Sequence, residues 1–163
     1  ERFEKEIYEE IRDVFDEFVE ENDLFIGDGS PSERSSPTKG YATMATLRVD
    51  YVMSHIEVDE GNNPNHLKLC VGLEWVNPTK QGEDTSSDEA LSYVFYKIKN
   101  SSEEDFEKIC DLTENKEIRF GKEMWRNAPG IFYIPVNKGG EIREGLLALR
   151  GHISEFGNHF GKE

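Results

Sequence analysis

With 163 residues, the chain has the length of one ordinary domain and can bury about 70% of its unfolded surface without disulfide or metal staples. Its 34 acidic and 19 basic residues leave a formal net charge of −15. That balance disfavours direct nucleic-acid binding, which works by Lys and Arg displacing phosphate counterions, and suits a surface that meets a basic partner or stays solvated.

Two cysteines, Cys70 and Cys110, stand outside any Cys-x-x-Cys or Cys/His cluster and read as buried thiols of a reducing compartment. No apolar run of about 18 residues, charged leader or lipidation motif occurs. The expectation is a cytoplasmic protein that does not associate with membranes.

Residues 2–22 set Phe3, Ile7, Ile11, Val14, Phe15, Phe18 and Val19 at helical spacing, one apolar stripe on a charged segment. Ten of the first 22 residues are acidic and three are basic, so the outer face of this helix is strongly electronegative. It is the candidate docking surface for a basic protein partner. The stretch from Gly27 to Gly40 has almost no apolar side chain and several backbone breakers, and is expected to be a flexible loop.

Residues 41–58 and 66–76 read as two strands joined by turn chemistry at 59–65. Leu47, Val49, Tyr51 and Met53 alternate on the first, and Leu67, Leu69, Val71, Leu73 and Trp75 on the second. The parity slips after Met53, which predicts a β-bulge near Ser54 or His55. Pairing Val58 with Leu67 then places Met53 opposite Val71, Tyr51 opposite Leu73 and Val49 opposite Trp75. On the other face Asp50 falls opposite Glu74, and two opposed carboxylates repel unless a cation, a proton or a neighbouring Arg compensates, with Arg48 and Lys68 on a solvated sheet face as the alternative to a metal.

After a polar connection at 77–89, residues 90–99 read as a central strand apolar on both faces. Ser101 and Ser102 start a short helix to about residue 113, with Phe106, Ile109, Cys110 and Leu112 on its buried side. A strand at 117–121 and a strong strand at 131–136 follow, Pro135 marking an edge or strand end. Gly139-Gly140 opens a last helix with Ile142, Leu146, Leu149, Ile153, Phe156 and Phe160 facing the sheet. The expected fold is a single α+β domain over 1–163, one mainly antiparallel sheet of about five strands with N-terminal and C-terminal helices, in the order α-β-β-β-α-β-β-α.

Asp50, Glu74 and His55 are the candidate catalytic residues, and Asp50 and Glu74 the candidate metal ligands, for Mg²⁺ or Mn²⁺. The order α-β-β-β-α-β resembles the nuclease core built around a PD-(D/E)-x-K motif, where such a carboxylate pair holds a metal that activates water. The lysine of that motif is missing, since Val76 stands two residues after Glu74. His-Ile-Glu at 55–57 lacks the Pro-Cys-x-x-Cys of zinc deaminases. His152 and His159 read as surface or cap residues, and no Gly-x-Ser-x-Gly elbow is present. Trp75, Trp125, Tyr93, Tyr96, Phe132 and Tyr133 read as core, with a stacking pocket as the alternative.

Two functional expectations follow. The first is an acidic, non-catalytic binding or regulatory module for a protein partner or small ligand. The second is a metal-dependent phosphodiesterase or nuclease with a degenerate PD-(D/E)-x-K-like core using Asp50 and Glu74.

Overall fold

The computed structural model describes residues 2–26, 29–36, 44–56, 65–76, 92–122, 128–137 and 139–160. In chain order these form α1 (Arg2–Glu21), β1 (Ser32–Ser36), β2 (Met44–Ile56), β3 (Asn65–Val76), β4 (Ser92–Lys99), α2 (Glu103–Leu112), β5 (Arg119–Lys122), β6 (Gly130–Val136) and α3 (Gly139–Phe156), with a 3₁₀ turn at Gly157–His159. The strands make one antiparallel sheet in the order β1-β2-β3-β4-β6-β5. The polar connection at 77–89, Trp125, and the turn at 59–65 apart from Asn65 lie outside the described residues.

The apolar stripe of α1 buries Ile7, Ile11, Val14, Phe15 and Val19 against β2 and β3, and α3 lays Leu146, Leu149 and Ile153 on β4 and β6. The sheet answers with the alternate residues Leu47, Val49, Tyr51, Leu69, Val71, Val94, Tyr96 and Phe132, so one core lies between the helices and one sheet face. Ser102 caps α2, its Oγ accepting a hydrogen bond from the Asp105 amide at 3.0 Å. Glu103, Glu104 and Asp105 then occupy the first turn, where carboxylates suit the helix dipole. Phe106 of α2 packs 5.1 Å from Phe132, over Gly130, where a Cβ would run into the Phe106 ring.

The α+β architecture and its order agree with the sequence reading, with one strand added. Residues 32–36, within the expected loop, form the edge strand β1. Gly29 and Ser30 turn the chain at positive φ, and the Val52 amide donates to the Gly29 carbonyl at 2.6 Å. The sequence Ser-Glu-Arg-Ser-Ser carries no apolar alternation. The ladder to β2 and the charges of Glu33 and Arg34 hold it, so hydrophobic periodicity had nothing to register. β4 is central, between β3 and β6. Pro135 lies at a strand end, beyond the reach of β5, whose pairing with β6 stops at Tyr133.

The bulge exists, with Met53 as the extra residue between Val52 and Ser54. The register does not follow the expected one. Val49 pairs with Val71 and Tyr51 with Leu69, and Asp50 stands opposite Cys70 while Glu74 stands opposite Thr46. The shift is four residues. Because side chains alternate with period two, an even slip keeps every apolar residue on its predicted face and changes only its neighbour.

Candidate functional site

Asp50 and Glu74 share the sheet face turned away from the helices, as their parity requires, but four residues of strand, about 13 Å, separate their rows. They do not form a pair. The side chain of His55, and that of Trp125, lie outside the described residues. Among the described residues no three His, Cys, Asp or Glu side chains converge as a metal-binding group.

Cations surround Asp50 instead. Its carboxylate is almost wholly buried, and it ion-pairs with Arg34 of β1 at 3.3 Å, Arg48 of its own strand at 3.4 Å and Lys99 of β4 at 3.3 Å. Arg34 and Lys99 both approach the same oxygen, Oδ2. The pairing rows show why these cations gather. Arg34 lies directly opposite Arg48 across β1 and β2, and Lys68 directly opposite Lys99 across β3 and β4. Like charges in opposed positions destabilise a sheet, and Asp50 lies in the row between the two pairs. Lys97, also buried, occupies that same row on β4.

Toward β6 the same face becomes aromatic. Cys70, Phe95 and Ile131 form a second small apolar cluster, with Tyr93 and Tyr133 packed on it. The two tyrosine rings lie 5.1 Å apart, and the Lys97 ammonium sits 5.7 Å from the centroid of Phe95. Burial, reinforced by Asp50 and opposed by Lys97 and Arg48, pushes the Cys70 thiol far above its ordinary range. A thiol so held stays protonated and is no nucleophile at neutral pH. Burial likewise pushes the half-buried Cys110 up to about 11.

The outer face of α1 has the opposite sign. Glu9, Asp13, Glu17 and Glu21 follow one another at i, i+4 spacing and all four are exposed. They form a ladder of carboxylates about 6 Å apart along the helix. Successive i, i+4 like charges cost about 0.2–0.5 kcal/mol each, and acids in the last turn, where no basic residue stands, oppose the helix dipole. Beside the ladder, Glu33 of β1 completes a shallow groove of about 510 Å³ lined by Glu9, Arg12, Asp13, Asp16, Glu17 and Glu33. Arg12 crosses it, donating to Asp16 at 2.9 Å and to Glu33 at 3.4 Å, and Tyr51 donates to Asp16 from the core at 2.6 Å. Arg143 of α3 ties down one rung through Asp13 at 2.6 Å.

His152 corrects a further expectation. It is buried, not a surface or cap residue, because α3 turns it toward the junction with β4 and α2. Its Nδ1 lies 2.7 Å from the Tyr96 hydroxyl and its Nε2 2.7 Å from Thr113 Oγ1. The Thr113 hydroxyl has one proton and gives it to the Ile109 carbonyl at 2.7 Å. The network therefore assigns the imidazole proton to Nε2, leaving Nδ1 to accept from Tyr96. Burial lowers its pKa to about 4, so the ring is neutral at pH 7.

These features define an antiparallel α+β protein with one sheet face sealed by helices, a cation-rich opposite face and an acidic outer helix. No helix among the described residues is long and apolar enough to cross a membrane. Comparison with protein-family models, curated proteins and solved structures finds no match.

Proposed function

We propose that the protein is a non-catalytic binding or regulatory module that docks a basic segment of a partner protein along the outer face of α1. The observation that carries this reading is the exposed Glu9, Asp13, Glu17, Glu21 ladder. Its like-charge spacing and its acidic C-terminal end weaken the helix that bears it, a cost that Arg143 offsets inside the fold at one rung, Asp13. A basic partner turns that cost into binding energy. Lysines or arginines at i, i+4 on a helix, or on alternate residues of an extended segment, repeat at about 6–7 Å and match the rungs. The metal-dependent alternative drew on an Asp50 and Glu74 pair that the register separates, and no observation favours it.

An octalysine peptide serves as the probe in calorimetric titration against the wild type, against Glu9→Gln/Glu17→Gln/Glu21→Gln, and against a control of equal charge change on α2, Glu103→Gln/Glu104→Gln/Glu107→Gln. The ladder variant should bind about tenfold more weakly and the control nearly as the wild type, with the gap closing as salt rises. Equal weakening in both variants would reduce the interaction to net charge alone and end the proposal.

A further inference from the structure

We infer that the sheet face around Asp50 binds a phosphate-class dianion, gripped by Arg34, Lys68 and Lys99. The inference does not rest on the docking of a basic partner by α1, which uses the other side of the molecule.

The case begins with the pairing rows. Lys68 and Lys99 face each other across adjacent strands, and Arg34 faces Arg48. Each is an arrangement that a sheet avoids unless something negative lies close by. Asp50 supplies one negative charge, and both Arg34 and Lys99 spend their contact on its single oxygen Oδ2. Arg34, Arg48 and Lys99 therefore bring three positive charges to one carboxylate, and Lys68 stands opposite Lys99 on the adjacent strand. Glu74, the other acid of this face, lies two residues, about 7 Å, along the ribbon from the Arg34–Arg48 row and six residues, about 20 Å, from the Lys68–Lys99 row, which leaves Asp50 the nearer acid to the lysine pair.

The carboxylate also shapes the site. It is 6% exposed, whereas Arg34 is 53% and Lys99 18% exposed at the side chain. The cations are thus drawn together across the two intervening strands β2 and β3 by an anion beneath them and still reach solvent above it. Arg34 is anchored through Nε, which also lies 3.2 Å from Ser32 Oγ, so the terminal fork of the guanidinium is the outward end. A fork beside the Lys99 ammonium, with Lys68 opposite Lys99 on the next strand, suits the several oxygens of a tetrahedral dianion, while a single carboxylate would offset only one charge. A small ligand feels this local field within a Debye length, whereas a nucleic-acid polymer would meet the net −15 of the whole chain. The occupant is accordingly free phosphate or a small phosphate ester.

The test uses inorganic phosphate and adenosine monophosphate as separate probes, with acetate as the singly charged control, in calorimetry and in amide chemical-shift mapping of the full chain. Both phosphates should bind saturably below about 10 mM, shifting amides of β1–β4, with acetate at least about tenfold weaker. Tighter binding of the nucleotide than of phosphate identifies an ester as the ligand, and equal binding identifies the free dianion. Arg34→Gln/Lys99→Gln should lose about tenfold in affinity, while Lys116→Gln/Lys122→Gln, which removes the same charge elsewhere, should not.

Should the Arg34/Lys99 variant fail to fold, Lys68→Gln, which leaves the contacts of Asp50 in place, should still weaken binding several-fold. Absence of saturation by either phosphate, shifts confined to other elements, or equal binding by the two charge-neutralised variants overturns the inference.

Discussion

Acid should loosen the protein at the junction of α2, β4 and α3, and His152 sets how steeply. Its imidazole is neutral in the fold with a pKa lowered to about 4 from the ordinary 6.5, and it is enclosed by Tyr96, Phe132 and Phe156. Between those two values the unfolded chain takes up a proton that the folded chain refuses. Stability is therefore fully present above pH 6.5 and falls as the pH drops toward 4. Integrating the difference in bound protons gives a loss of about 1 kcal/mol from pH 7 to 5.5 and about 3 kcal/mol by pH 4.

Carboxylates titrate in part of this range, so the measurement is differential. Urea unfolding of the wild type and of His152→Gln is followed from pH 7 to pH 4. Glutamine can accept from Tyr96 and donate to Thr113 without titrating. The wild type should lose stability faster than the variant by the amounts given. Parallel curves would refute the argument, because the proton penalty would then lie elsewhere.

Other changes test the packing and the charge centre. Gly130→Ala should destabilise by about 1–3 kcal/mol, since a Cβ there runs into the Phe106 ring; an unchanged urea midpoint would contradict that contact. Asp50→Asn removes the carboxylate shared by Arg34, Arg48 and Lys99, leaving cations gathered without it. It should cost about 3 kcal/mol in urea unfolding, and a change under about 0.5 kcal/mol, within the range of ordinary surface substitutions, would mean that the cluster does not depend on it. Tyr51→Phe deletes the hydrogen bond to Asp16. Asp16 is 40% exposed and can rehydrate, so the loss in urea unfolding should be about 1 kcal/mol, below the usual range of about 1.5–3 kcal/mol for a charged acceptor.

Much of the fold was legible because the core is built from two simple periods. The 3.6-residue stripe of α1 and the alternation along β2 and β3 each lie on the face where the structure buries them, and Ser102 marks the start of α2 by a capping bond that its sequence announces. β1 was illegible for a physical reason, since Ser32–Ser36 buries no apolar stripe and is held by backbone pairing and ionic contacts made far along the chain. His152 was misread because helical phase alone does not show that β4 and α2 offer it a hydroxyl on each side.

The candidate site depended on a finer quantity than the fold did. Face requires only parity, and parity survives any even slip, whereas the identity of a cross-strand neighbour requires the absolute register. With the ribbon set four residues from the expected pairing, the opposed carboxylates dissolve. What takes their place has the opposite sign, Arg34 facing Arg48 and Lys68 facing Lys99 about one buried carboxylate. The same repulsion argument that pointed to a cation therefore points, on the observed register, to an anion. That reversal also reconciles a cation-rich sheet face with a chain of net charge −15, because the excess acid is carried in large part by the outer face of α1 and the helix layer separates the two fields.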